Sequence, residues 1–286
     1  MMTIRGESWS GDTWKIFRTL SMFQSMTNGL PTKASTPTAP SVRRTANGTV
    51  NVPVIGILTK SGWLGPSSAE LADTVRRLDA DDSVKQIVLL VDSPGGEIAG
   101  ALDFASAVKA ASAKTTAYID DISCGVAYVI ASQASRVYAN TAAFIGGVGC
   151  EVVIHDSSAA AKRAGVKTHV IRAGEHKGVG TPGAAVTDKH LAGLQALVND
   201  QAALLWQAVA KARPRVNVAE LKTARVHIAG AAQGYAMIDG IVDFESVADS
   251  DQISTQRQTG ALPLSATAVV PGKYRQVRHS PQRRSK

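Results

Sequence analysis

From Asn51 to Ser246 short apolar runs alternate with longer stretches whose apolar residues recur three and four apart. The stretch NVPVIGILT opens the series as a strand. Ser67 stands three residues before Glu70, ahead of Leu71, Val75 and Leu78, and this capping-box spacing predicts a helix. QIVLLVD, Gln86 to Asp92, is a continuous apolar run and predicts a buried strand that breaks at SPGG. A helix follows on Leu102, Phe104, Ala105 and Val108, and then TTAYID as a strand. Gly125 to Ala134 predicts a helix, RVYA a strand and THVIRAG a further strand. Between Asp188 and Ala212, Leu191, Leu194, Leu197, Ala202 and Leu205 share one helical face, and IDGIVDF closes the series as a short strand. Strands alternating with helices favour an α/β domain with a parallel sheet over a bundle or a sandwich.

Composition sets the limits of that domain. Leu30 to Val50 is rich in Pro, Thr, Ala and Ser, which bury too little apolar surface to offset their ordering, so residues 1–50 are expected to be an arm and linker, largely disordered. The folded domain is expected over 51–248, and 249–286 as a basic disordered tail. The formal charge of +8 belongs to that tail: Gln252 to Lys286 holds seven basic residues and no acidic one, leaving 24 basic against 23 acidic elsewhere. The tail therefore reads as a solvated end more than as a nucleic-acid contact. Charges interrupt Trp14, Ile16, Phe17, Leu20, Met22 and Phe23, and no apolar run approaches the ~20 residues of a membrane span. Cys124 and Cys150 have no metal-ligand spacing, so neither a metal nor another cofactor is expected, and a reducing compartment fits them.

Chemistry concentrates after the buried strands. Gly95 and Gly96 either make a turn that needs positive φ or present backbone N–H groups to a ligand. No P-loop, dinucleotide fingerprint or GxSxG elbow is present. His155, His169, His176 and His190 have Asp120, Asp121 and Asp156 as potential partners, yet no spacing joins them into a triad; His176 is the one expected to line a cleft.

The order of VDSPGGEIAG, GVAYVIAS, FIGGVGC, IRAGEHKGVGTP and GYAMIDGIVD resembles the family of signal peptide peptidase A and the capsid-assembly proteases of tailed phages. Over roughly Val52 to Val247 the resemblance implies a ClpP/crotonase-like α/β fold with repeated ββα-type units. It also implies a Ser-Lys peptidase acting on polypeptides, with Lys177 as general base and oxyanion donors from Gly95, Gly96 and the Val126 N–H. A homo-oligomeric ring, in which base and nucleophile come from neighbouring protomers, belongs to the same expectation. So does a place in the cytoplasm or in a phage prohead within it.

Against that pattern the nucleophile position of the Ser-(Gly/Ala)-(Gly/Ala)-Tyr frame is Gly125, and the second serine, which in the family holds the lysine, falls on Gly147. Ser123, two residues upstream, and Cys124 are the replacements at hand. The sequence thus leaves a serine-type endopeptidase beside a catalytically silent homologue that binds peptides or serves in assembly. An acyl-CoA enzyme ranks third, because the near-neutral body shows no cationic set for CoA phosphates.

Overall fold

The computed structural model describes residues 42–45, 47–62 and 65–248. The arm expected over residues 1–50 therefore lies outside them except for its last part, and the basic tail lies outside them entirely. The strand expected from Asn51 starts at Thr49: β2 (Thr49–Ile55) is preceded by a short antiparallel partner, β1 (Arg43–Arg44), so the sheet takes in the end of the linker.

The chain then winds strand and helix in turn through α1 (Ser68–Asp79), β3 (Gln86–Ser93), α2 (Ala101–Ala110), β4 (Lys114–Cys124), α3 (Val126–Ala131), β5 (Arg136–Ala139) and β6 (Phe144–Gly146). After β6 come α4 (Ser158–Arg163), α5 (Asp188–Ala212), α6 (Val218–Leu221), β7 (Val226–Ile228), α7 (Ala229–Gly234), β8 (Gly240–Ile241) and α8 (Phe244–Ala248). One sheet runs β1-β2-β3-β4-β5-β8, with β6 on the far half of β4 and β7 on β6. Every pairing is parallel except β1 with β2 and β6 with β7, which is the α/β class the periodicity implies.

The helix at Ser67 forms as its capping residues require, the Ser67 hydroxyl accepting the Glu70 N–H at 3.2 Å. Val52, Val54, Ile87, Leu89, Val91, Ala117 and Ile119 point from the sheet into the main core, against Leu71 and Val75 of α1, Phe104 and Val108 of α2 and all of α3. The other face carries a smaller cluster of Val88, Tyr118, Tyr138 and Val247, with the Phe244 ring 5.3 Å from Tyr118.

Two departures from the sequence pattern bear on function. TTAYID belongs to a longer strand, because β4 continues through DDISC to Cys124. THVIRAG, expected as a strand, is not one: residues 168–174 have no ladder partner among the described residues. Segment 151–187 and the first half of α5 carry almost no buried side chains, His190 being the exception, so they stand away from the core.

The far end of α5 is tied to the sheet by a buried ion pair, Arg213 Nη1 to Asp239 Oδ2 at 2.8 Å, whose side chains are 11% and 7% exposed. The same carboxylate oxygen accepts the Val137 N–H of β5 at 2.8 Å. Burial opposes ionisation of Asp239, but the Arg213 guanidinium, the Val137 N–H and the charge of Arg136 together hold its carboxyl below the ordinary value. Asp239→Asn leaves Arg213 buried without a counter-charge and is expected to cost about 3 kcal/mol, read from the urea midpoint at neutral pH. Because the folded-state pKa is depressed, that contribution is present above the unfolded-state value near 4 and is lost as pH falls through the folded-state value. The difference between wild type and variant should therefore shrink in acid.

Candidate active site

The site is built where β4 turns into α3. Between Val91 and Ser93 the β3–β4 register shifts: Val91 pairs with Ile119, but Ser93 pairs with Ser123. Three β4 residues, Asp120 to Ile122, stand against the single Asp92, and the strand runs on to bring Cys124 beside Gly146 of β6. Asp92 sits opposite this irregularity, where burial first, and then the charges of Asp121 and Asp120, raise its carboxyl above the usual carboxylate range.

Gly125 makes the turn itself. Its φ of 55° and ψ of −128° lie where a residue with a Cβ is strained, and its N–H donates to Gly146 O at 2.9 Å. This is the backbone of a nucleophile elbow, a sharp strand-to-helix turn that lifts its central residue out of the sheet. Tyr128, fully buried three residues on, fixes the helix direction by donating its hydroxyl to Met237 O at 2.7 Å. Gln133 joins α3 to α5, its Nε2 donating to Ala208 O at 3.2 Å.

The paired glycines lie against this elbow. A Cβ on Gly95 would stand 2.8 Å from Cys124 O and 3.3 Å from Val126 N, and one on Gly96 would stand 2.0 Å from Leu58 O. No side chain larger than hydrogen fits either position, so the turn and the helix start approach closely only as glycine. The two glycines do not have equal roles. Gly95 N–H donates to the Ser93 hydroxyl at 3.2 Å, and that hydroxyl donates to Gly56 O at 2.7 Å. Gly96 N–H and Val126 N–H have no acceptor among the described residues, which makes them the available donors for a carbonyl oxygen.

The two replacement nucleophiles lie beneath the turn. Ser123 is fully buried, and its Oγ has no hydrogen-bond partner among the described residues. Cys124 is fully buried as well, and burial pushes its thiol up to about 12, away from the thiolate form. Gly147 follows Gly146 with a φ of 60°, its N–H donating to Arg225 O at 3.1 Å.

Lys177 stands elsewhere in the chain. It is exposed, in the loop between Arg172 and Thr181, and its carbonyl accepts Arg172 Nη1 at 3.2 Å. With His155 and His176 it lines a groove of about 650 Å3 whose apolar walls include Val152, Ile154 and Leu197. None of Gly95, Gly96, Ser123, Gly125 or Val126 lines that groove. Thus Gly95, Gly96, Val126 and Ser123 are gathered at the elbow, and Lys177 is not brought to them within one chain.

The residues that the sequence left unmarked are Ser93, Gly146 and Arg172. Ser93 was legible as the serine of DSPGG; the other two act through a backbone carbonyl and a loop contact that no spacing announces.

Two consequences of burial are measurable. Ser123→Ala removes an unpaired buried hydroxyl and is expected to raise stability by about 1 kcal/mol, seen as a higher urea midpoint. A lower midpoint would mean that the hydroxyl is satisfied in solution. With iodoacetamide at pH 8, peptide mapping should show Cys124 unmodified in the native protein and modified once unfolded, while the half-buried Cys150 reacts first. Faster native labelling of Cys124 would restore it as a nucleophile.

Among the described residues no group of His, Cys, Asp and Glu has the arrangement of a metal site, and no helix is long and apolar enough to cross a membrane. Comparison with known proteins gives matches to proteases and phage assembly proteins. Capsid assembly protease C of Escherichia phage lambda is 30% identical over 146 residues, covering 48% of this chain and 33% of its own. The head-tail preconnector protein of Enterobacteria phage P21 is 30% identical over 144 residues, 48% of this chain and 29% of its own. A Methanocaldococcus jannaschii protein that bears a protease name is 28% identical over 125 residues, 43% of this chain and 40% of its own. The matches thus span less than half the length of these curated relatives. Among solved structures, an enoyl-CoA hydratase/isomerase family member covers 77% of this chain and 76% of its own at 18% identity, with a TM-score of 0.43. The profile of Peptidase family S49 matches residues 107–256, from α2 through the elbow, the Lys177 loop and the last strand, and the chain belongs to that family.

Proposed function

We propose that this chain holds extended polypeptide segments at the elbow of its S49 domain, in a homo-oligomeric assembly, without forming an acyl-enzyme. The observation that carries this reading is Gly125: the residue that the family frame aligns with the nucleophile has an elbow backbone and no side-chain oxygen. A peptide carbonyl at this position would accept hydrogen bonds from Gly96 N–H and Val126 N–H. It would meet no hydroxyl, because Ser123 Oγ and Cys124 Sγ are both buried behind the turn. The phage relatives, named for capsid assembly and for the head-tail preconnector, support a role in an assembly, and a ring would bring the Lys177 loop of one protomer toward the elbow of the next.

Serine-type hydrolysis is the second reading, favoured by the unpartnered Ser123 Oγ and by the presence of Lys177 in its expected frame. It requires the elbow to rearrange so that Ser123 Oγ gives its proton to Lys177 Nζ and attacks the carbonyl carbon. The tetrahedral oxygen would then rest on Gly96 and Val126 N–H, and collapse would release the amine before water frees the acyl group.

Casein and the chain itself serve as substrates, with products read by mass spectrometry. Wild type is expected to release no peptide. Gly125→Ser paired with Gly147→Ser is expected to gain cleavage that adding Lys177→Ala removes. Both glycines have positive φ, so each serine should also cost about 1–3 kcal/mol of stability. Cleavage by wild type that Ser123→Ala abolishes would replace the binding reading with the second one.

A further inference from the structure

We propose that Arg172 and His190, at the first turn of α5, form a binding site for a carboxylate group. His190 is 5% exposed, the one buried side chain in the first half of the helix. It closes a reciprocal cap with Thr187: its N–H donates to Thr187 Oγ1 at 3.3 Å, and its ring Nδ1 accepts the Thr187 N–H at 3.3 Å. An Nδ1 that accepts has no proton to give, so the ring proton resides on Nε2. That Nε2 lies 3.4 Å from Arg172 Nη1, and a guanidinium only donates. Two donors therefore face each other with no acceptor between them among the described residues.

The surroundings do not relieve this. Arg172 Nη1 uses one hydrogen on Lys177 O at 3.2 Å, which leaves the other directed at His190. The neighbouring carboxylate, Glu175, is held by Lys189 Nζ at 2.7 Å, and although its charge also reaches His176 and His190 it makes no hydrogen bond to either ring. His176 stands edge-on to His190, with ring centroids 6.2 Å apart, and a Cβ on Gly193 would lie 2.7 Å from its Cε1. The glycine thus gives His176 its place on the helix. Two donors 3.4 Å apart can converge on one oxygen at ordinary hydrogen-bond lengths of about 2.9 Å, and the charge on Arg172 together with the partial positive charge of the α5 N-terminus favours an anion there.

A carboxylate is the class that fits the neighbourhood. His176 and Lys177 belong both to this cluster and to the groove walled by Val152, Ile154, Val179, Leu194 and Leu197. Arg172 does not line the groove but bonds Lys177 O beside it, so an acidic side chain or a chain terminus at the end of an apolar run of polypeptide in the groove is the carrier that fits. Only the identity of that carrier rests on the polypeptide reading; the carboxylate site stands on the donor geometry alone.

The test uses the full chain labelled with 13C and 15N in histidine, at pH 8 and constant ionic strength, titrated with sodium acetate against a sodium chloride reference. The His190 ring resonances are expected to shift saturably, with half-saturation on the order of millimolar. Arg172→Gln should raise the half-saturation at least fivefold with unchanged far-ultraviolet circular dichroism, and Arg172→Lys should fall between. No shift beyond the chloride reference, or equal saturation in Arg172→Gln, would overturn the site. A second arm compares two labelled apolar peptides that differ only by Glu or Gln, using fluorescence anisotropy. A fivefold preference for the Glu peptide that Arg172→Gln abolishes supports a polypeptide carrier. Equal binding of the two overturns that carrier, whatever acetate does.

Discussion

The geometry of the candidate site depends on one backbone constraint, the turn at Gly125 from β4 into α3. A strand can pass directly into a helix only if the residue between them takes a conformation that neither element uses. Here three contacts enforce it. Gly146 O holds the Gly125 N–H, Tyr128 anchors the helix to Met237 O, and Gly95 closes against Cys124 O and Val126 N. The register shift opposite Asp92 delivers Cys124 to that point. Altering any of these would move the Val126 N–H, so the donor pair is a product of the sheet's register as much as of the glycines that flank it.

The same constraint explains why losing the hydroxyl and losing strain come together. A serine at 125 would hold φ near 55° at a cost of about 1–3 kcal/mol, which an enzyme bears because the turn aims its nucleophile. Glycine takes this φ freely, and so does Gly147 at 60°. If the family resemblance places serines at these two positions, glycine trades their oxygens for conformational ease, while the Gly96 and Val126 N–H groups are left without acceptors among the described residues. A binding role keeps the donors and has no use for the strain, which fits a general exchange between stability and catalytic geometry. Arg213 and Asp239 are under the opposite demand, since each is buried and neither is tolerable without the other.

Sequence patterning went far where local rules decide structure. The capping spacing at Ser67 and Glu70, the apolar run from Gln86 to Asp92 and the helical face from Asp188 to Ala212 each correspond to an element with those residues in it. The elbow was legible as well, since the frame around Tyr128 places Gly125 at its centre. What failed depends on partners distant in the chain. The strand TTAYID stops short of Cys124 in the sequence pattern because the continuation of β4 is decided by β6, whose three residues carry little pattern of their own. THVIRAG carries β-branched residues that suit a strand, but such residues describe a local preference and do not supply a neighbour. Ser93 was in plain view, yet its bond to Gly95 N–H, which removes one expected donor, exists only in three dimensions.

Lys177 sits on a part of the chain that packs little against the core. Helix α5 has 25 residues, about 37 Å of axis, yet apart from His190 its buried side chains, Ala202, Leu205 and Val209, belong to its second half. The first half carries segment 151–187 with it, and that segment leaves Val153, Val166 and Ile171 exposed, Ile171 completely. Residues 168–174 have no ladder partner among the described residues. Bare β-branched side chains on one projection are costly in water and inexpensive against another chain. A second copy that covered this projection would bury those groups.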